Sequence, residues 1–170
     1  MKQTTGTRKS PNTDRITQEI GVLKRRETEA RILAPIMDAL NDRFGKEEVL
    51  EVIRKKIIAL SREQGESLAD EYGNDVDAFL KTLEFWTQDN ALEIDIIEKN
   101  QTTLDFDVRR CRYAEMYESL GIKELGATLS CNRDYALIEG FNPDATLVRE
   151  KTIMSGGDCC TFRYNFSAKT

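Results

Sequence analysis

The stretch that decides the fold reads LEIDIIEKNQTTLDFDV, over residues 92–108. Apolar residues alternate with acidic ones on both sides of its polar segment KNQTT, at Leu92, Ile94, Ile96, Leu104, Phe106 and Val108. Alternation with a period of two is typical of strands that are buried on one face. The stretch therefore predicts a β-hairpin that packs one face on the core of the protein.

The sequence before this hairpin carries helical periodicity instead. Apolar residues at steps of three and four predict three helices, over about 14–44, 46–64 and 75–86. Pro35 is expected to kink the first of them or to start a second helix there.

Two glycines and a pair of polar residues mark the expected boundaries in this helical part. Gly65 and Gly73 should bracket a short helix or a loop, and Asn74 or Asp75 should cap the third helix.

The sequence after the hairpin returns to helical spacing. It predicts one helix from near Arg109 and another that runs through about Leu137. Two further strands are expected near 146–153 and 159–166, joined by the turn residues SGGD. This order predicts an α+β fold: N-terminal helices pack on an antiparallel sheet built from two hairpins, with two helices between the hairpins.

Length and charge limit the organisation and the partners. The 170 residues suit a polar, disordered leader over 1–13 followed by a single α+β domain over 14–170. The chain has 30 acidic and 25 basic residues, a balance that argues against nucleic acid or an anionic membrane as a partner. Since the leader lacks the apolar centre of a signal peptide, we expect a cytoplasmic protein.

The absence of histidine removes whole classes of chemistry. Serine and cysteine triads that use histidine, His-ligated zinc and His-ligated haem are all excluded. The four cysteines, Cys111, Cys131, Cys159 and Cys160, are expected to be reduced thiols, as is usual in a cytoplasm. Chemistry must therefore use thiol, carboxyl, phenol, ammonium or guanidinium groups.

Carboxylates accompany two of the cysteines at helical spacing. Glu115 follows Cys111 by four residues and Asp134 follows Cys131 by three, so each pair shares a face if its segment is helical. On the last strand, Cys160 falls on the face of the aromatic residues and Cys159 on the opposite face.

Three interpretations of these cysteines stay open at this point. A thiolate nucleophile activated by Arg110 or Arg133 would support covalent catalysis, with a carboxylate to move protons or position water. A divalent metal would be held by Cys111, Cys131 and Cys160, although the chain has no CxxC pair. The third interpretation is that the cysteines are small buried apolar residues.

Three longer motifs add a resemblance to a known family. The strings RCRYAEMY (110–117), LSCNRDYAL (129–137) and SGGDCCTFRY (155–164) resemble those of the L-2-amino-thiazoline-4-carboxylic acid hydrolase family. The similarity extends over residues 27–164. One position departs from it, because the family often has an acidic residue where this chain has Thr161.

The resemblance implies an enzyme, a hydrolase of non-peptide C–N bonds in cyclic amidines that converts L-2-amino-thiazoline-4-carboxylate to carbamoyl-L-cysteine. It implies Cys131 as the nucleophile, Asp134 as the group that orients water or moves a proton, and Glu115 as a partner of the amidinium. The residues it implies for substrate binding are Arg110, Tyr113, Arg133 and Arg163.

No cofactor is expected, and a divalent metal on the three cysteines named above is the alternative. The expected partner is a small-molecule substrate, and a homodimer is compatible with every interpretation. The alternative function is a non-catalytic small-molecule or metal-binding domain that acts as a sensor.

Overall fold

The computed structural model describes residues 15–167, so the predicted leader lies outside the described residues. Helices and strands follow one another as α1 (Arg15–Phe44), α2 (Lys46–Tyr72), α3 (Val76–Thr87), β1 (Leu92–Lys99), β2 (Thr103–Cys111), α4 (Arg112–Ser119), α5 (Lys123–Gly126), α6 (Arg133–Phe141), β3 (Thr146–Val148) and β4 (Cys160–Asn165). A π-helical turn, Ala127–Cys131, joins α5 to α6. This order confirms the predicted α+β class.

The four strands form one antiparallel sheet in the order β1-β2-β4-β3. Its centre is the pairing of β2 with β4, in which Phe106 lies opposite Phe162 and Val108 lies opposite Cys160. The predicted alternation in β2 is confirmed, because Leu104, Phe106 and Val108 are each at most 2% exposed. This face packs against side chains of α3 and α6 and forms the main core.

The edge strand β1 departs from the simple alternation. Its register with β2 shifts between Glu93 and Ile94 and again between Ile96 and Glu98. Ile96 lies opposite Phe106, on the face of the buried β2 residues, yet it is 52% exposed on this edge strand. The prediction that it would be buried on that face with Leu92 is therefore wrong.

The first helix is broken at a glycine and not at its proline. Gly21 has φ 74° and ψ 163°, a backbone conformation that interrupts the helix and that residues with a Cβ rarely adopt. Pro35 lies inside α1 on its exposed side, where water can satisfy the Arg31 carbonyl that proline cannot bond. Helix α1 continues through Pro35, so the second helix start expected there is wrong.

Helix α2 continues through Gly65, where a boundary was predicted. Gly65 is buried at the crossing with α6, and a Cβ there would overlap the Leu137 carbonyl oxygen. Gly140 faces α2 in the same way, since a Cβ on it would overlap the Arg62 carbonyl oxygen. The glycine marks a close helix crossing and not a helix end.

At this helix crossing a Gly→Ala substitution should destabilise the protein, although the same change usually stabilises a helix. In an open helix Gly→Ala stabilises by up to about 1 kcal/mol, but at Gly65 it should destabilise by about 2–3 kcal/mol, because the two helices must move apart. Urea unfolding of Gly65→Ala measures the effect. Ser67→Ala, an exposed site in the same helix, is the control and should change stability by less than about 0.5 kcal/mol. Stabilisation by Gly65→Ala would contradict the close crossing.

Two element boundaries differ from the sequence prediction, and both matter for the cavity described below. Strand β2 runs on to Cys111, so α4 begins at Arg112 and not near Arg109. Strand β3 ends at Val148, after which the chain leaves the sheet and makes a short 3₁₀ turn before β4. The third helix is as predicted, with the Asp75 side chain accepting from the Ala78 amide.

None of the helices within residues 15–167 is both long enough and apolar enough to span a bilayer.

Candidate functional site

A cavity of about 550 Å³, including the part open to solvent, lies between the packed face of the sheet and the helices that cover it. Its apolar wall consists of Trp86, Leu92, Val108, Met154 and Phe162. Polar side chains from α1, β2, α4, α6 and β4, and from the segment after β3, converge on the remaining wall. Apolar clefts with a few convergent polar groups are typical of small-molecule sites.

Three of the four cysteines line this cavity. Cys111 ends β2, Cys131 ends the π-helical turn and Cys160 begins β4, so the fold brings together thiols that are far apart in sequence. Cys159 is 2% exposed, but it lies outside the cavity lining. The predicted alternation on the last strand thus separates Cys160 from Cys159 as expected.

The cavity thiols are protonated near neutral pH. Burial raises the pKa of Cys111 to about 11 and raises the pKa of Cys131 well above its ordinary range. Burial also raises the pKa of Cys160, although its Sγ accepts a hydrogen bond from the Ile153 amide at 3.2 Å. A thiol of this cavity therefore needs a neighbouring base before it can act as a nucleophile.

Asp134 supplies a base on the same wall. It lies in the first turn of α6, three residues after Cys131, and both line the cavity as their spacing predicted. Burial raises the pKa of Asp134 to about 6, against the opposing effect of the Arg149 cation. The carboxyl group is therefore mostly ionised at pH 7 and close to the range that suits general-base catalysis.

Arg149 holds Asp134 in place. Its Nη1 donates to Asp134 Oδ2, and its Nη2 donates to the Cys131 carbonyl oxygen at 3.1 Å. The guanidinium also lies between two rings, 5.1 Å from the centroid of Tyr135 and 5.5 Å from that of Phe162.

Arg149 is not among the site residues predicted from the sequence. Its partners lie 15 and 18 residues earlier in the chain, so no helical or strand spacing connects them. The one local signal is an arginine directly after the short apolar run of β3.

A second group of cations also lines the cavity. Arg26 of α1 is 2% exposed and donates from Nη1 to Glu29 Oε2 at 2.6 Å. Arg133 donates from Nε to the Leu129 carbonyl at 2.8 Å and lies 3.6 Å from the same Glu29 carboxylate. Arg133 was predicted, whereas Arg26 was overlooked because its charge-rich segment reads as a solvated helix face.

Hydrogen bonds between elements hold Arg133 and Tyr113, two further polar residues of the cavity, in place. Ser61 of α2 donates to the Arg133 carbonyl at 2.8 Å, which ties the start of α6 to α2. Tyr113 was predicted to bind substrate and does line the cavity, but its hydroxyl donates to the Trp86 carbonyl at 3.0 Å. Burial raises the pKa of Tyr113, so it is a neutral phenol.

Three predicted site residues lie outside the cavity. Glu115 pairs with Arg110 on the protein surface, Nε to Oε1 at 2.7 Å, and both side chains are about half exposed. Their placement follows from the late start of α4: Cys111 belongs to a strand, so the expected helical pairing of Cys111 with Glu115 is wrong.

Arg163 is the third of these residues. It alternates with the cavity-lining residues of β4 and donates to Asp107 Oδ1 at 2.8 Å and to the Phe106 carbonyl at 2.8 Å. Thr161, the departure from the family pattern, is on the same outer face, where its Oγ1 accepts from the Glu150 amide at 3.0 Å. The departure therefore leaves the cavity lining unchanged.

The described cysteines are not clustered as metal ligands. Among residues 15–167, no group of three or more cysteine, aspartate or glutamate side chains is arranged to hold a metal ion. Cys111, Cys131 and Cys160 line one cavity without making such a group, and a metal held by these three residues stays a prediction.

Fold and cavity together define a class of protein: an α+β chain with thiols, a carboxylate and guanidinium groups around one cleft. The chain belongs to the L-2-amino-thiazoline-4-carboxylic acid hydrolase family, whose model matches residues 25–164. This match confirms the family resemblance of the sequence motifs. No curated protein matches the chain.

Proposed function

We propose that this protein opens the ring of a small cyclic amidine by hydrolysis, with L-2-amino-thiazoline-4-carboxylate as the substrate to test first. The family name supports a hydrolase. The observation that carries the proposal is the placement of Cys131 and Asp134 on one wall of the cavity, with Arg149 bound to both residues.

In this proposal Cys131 is the nucleophile and Asp134 its general base. The Cys131 thiol is neutral at rest because burial raises its pKa, whereas Asp134, with a pKa of about 6, is mostly ionised at pH 7. As Sγ attacks the ring carbon bonded to two nitrogens and the sulfur, Asp134 accepts the thiol proton. The base then returns this proton to the ring atom that departs.

The second half of the reaction releases the product. Water adds to the carbon bound to Sγ while Asp134 takes a proton from it, and the C–Sγ bond then breaks to regenerate the Cys131 thiol. The same carbon ends as the carbonyl of a carbamoyl group, so one water is consumed and the enzyme is unchanged. The apolar wall of the cavity keeps other water away from the intermediate.

The ring atom that leaves decides which carbamoyl-cysteine forms. Cleavage of the C–N bond, which the family resemblance implies, gives an S-carbamoyl product without a free thiol. Cleavage of the C–S bond gives an N-carbamoyl product with a free thiol. A thiol reagent added after the reaction distinguishes the two.

A turnover assay tests the proposal. The purified chain is incubated with L-2-amino-thiazoline-4-carboxylate, with and without a chelator, and carbamoyl-cysteine is followed by mass spectrometry. Cys131→Ser should lose turnover by about 100-fold or more, because a hydroxyl is a much weaker nucleophile than a thiol near neutral pH. The proposal includes no metal, so the chelator should have no effect.

The matched control is Cys159→Ser. Cys159 is a buried thiol next to the cavity residue Cys160, but it lies outside the cavity lining, so its variant should retain most of the turnover. Equal losses in the two variants would contradict a role for Cys131 in the reaction. Turnover that disappears with the chelator would replace the thiol mechanism by a metal-dependent one.

A further inference from the structure

Three guanidinium groups line the cavity, and they face few carboxylates. Arg26, Arg133 and Arg149 belong to the lining, and the described carboxylates within ion-pair distance of them are Glu29 and Asp134. Because charges in a cleft with apolar walls are only weakly screened, this imbalance favours an anionic ligand.

The excess positive charge belongs to Arg26 and Arg133. Arg149 is matched by Asp134, whereas Arg26 and Arg133 share the single carboxylate of Glu29. Glu29 also accepts from Arg25 Nε at 2.9 Å, so its negative charge is divided among three cations.

The pKa of Arg133 is consistent with this excess of cations over carboxylates. Burial, and then the neighbouring Arg26 cation, lower the pKa of Arg133 to about 10, in spite of the Glu29 carboxylate. An anion bound between the two guanidinium groups would relieve that repulsion.

We propose that Arg26 and Arg133 form an anion-binding subsite, which takes the carboxylate of the ligand and makes the cavity selective for anionic rings. Guanidinium groups suit this task because their planar donors match a carboxylate in pairs. The inference rests on the proposed function for the identity of the ring, and it adds the group that the cavity recognises.

The subsite also orients the ring. Arg26 and Arg133 hold the carboxylate, while Cys131 and Asp134 lie on the wall that would receive the amidine carbon. A ligand anchored at one end presents the other end in a fixed direction, which is how binding energy from a non-reacting group assists a reaction.

A binding experiment with two unreactive rings tests the subsite. Thiazolidine-4-carboxylate and its neutral carboxamide both lack the amidine carbon, and each is titrated calorimetrically into the wild-type chain. The carboxylate should bind about 30-fold more tightly, as expected for charge-assisted hydrogen bonds. Equal affinities, or no binding of either ring, would overturn the proposal.

Substitutions test whether Arg26 is responsible for the preference for the carboxylate over the carboxamide. Arg26→Met should bind the carboxylate about 30-fold more weakly and leave the weak binding of the carboxamide unchanged. Arg25→Met is the matched control: Arg25 also contacts Glu29 but lies outside the cavity lining, so selectivity should stay within about threefold of wild type.

If Arg26→Met does not fold, Arg133→Met serves for the same measurement. Retention of full selectivity in the folded variants would overturn the assignment to these two arginines. Selective binding of the carboxylate without any turnover would keep the subsite and reject the proposed hydrolysis. Equal turnover of L-2-amino-thiazoline-4-carboxylate and its carboxamide would keep the hydrolysis and reject the subsite.

Discussion

Arg149→Met is expected to destabilise the protein by about 3 kcal/mol at pH 7, because it leaves the Asp134 carboxylate in the cavity without its cation. The Arg149 side chain is 7% exposed, and it bonds both Asp134 and the Cys131 carbonyl. Methionine fills a similar volume between Tyr135 and Phe162, so the loss reports the charge and its hydrogen bonds more than the packing.

The loss should depend on pH in a defined direction. Burial already raises the pKa of Asp134 to about 6, and removal of the Arg149 cation raises it further. A carboxyl group whose pKa is higher in the folded than in the unfolded protein binds more protons when folded, so stability falls as pH rises from the unfolded pKa to the folded one. The destabilisation by Arg149→Met should therefore be larger at pH 8 than at pH 5.

Urea unfolding at pH 5, 7 and 8 measures this dependence. The control is Arg31→Met, which removes an exposed guanidinium that pairs with Glu27 on the surface of α1. Such pairs contribute at most about 1 kcal/mol, and the control should show little difference among the three pH values. A loss in Arg149→Met that is the same at all three would mean that Asp134 does not carry the effect.

The sheet was predictable because its signal is local. Alternation over residues 92–108 depends only on neighbouring side chains, and the structure confirms the hairpin and the buried face of β2. The end of a strand carries no comparable signal. Arg109 to Arg112 fit a strand as well as a helix, so the sequence alone did not show that Cys111 closes β2.

Close contacts between helices could not be predicted from the sequence either, because they join residues that are far apart in the chain. Gly65 reads as a boundary because glycine is a poor helix former, yet the crossing with α6 requires a residue without a side chain inside α2. Propensity describes the isolated segment, and here packing with Leu137 overrides it.

The site was partly predictable by residue type. Cys131 and Asp134 lie close in sequence, so their spacing predicted a shared wall. Arg26 and Arg149 complete the cavity from distant segments, and only the fold brings them there.

Arginines at other positions show the limit of the same reasoning. Arg110 and Arg163 have the right chemistry for binding an anion, but the twofold periodicity of strands and the boundary of α4 place them outside the cavity. A change of one residue in register moves a side chain to the opposite face, so residue type alone cannot decide between them.

Asp134→Asn is the substitution for which we expect the largest loss of activity, about 1,000-fold in kcat/KM, within the range usual for a general base. Asparagine keeps an oxygen that accepts from Arg149, so the local structure is preserved while the basic group is lost. Circular dichroism and urea unfolding of the variant confirm that it is folded before turnover is compared.

The pH profile separates a base from a residue that only holds the structure. With a pKa of about 6 for Asp134, kcat/KM of the wild type should fall about tenfold per pH unit below pH 6, as the base becomes protonated. The residual activity of Asp134→Asn should lack this acid limb, whereas Cys131→Ser, which retains the carboxyl group, should keep it. An acid limb that persists unchanged in Asp134→Asn would assign the titrating group elsewhere, and the cavity would then need a different base for the Cys131 thiol.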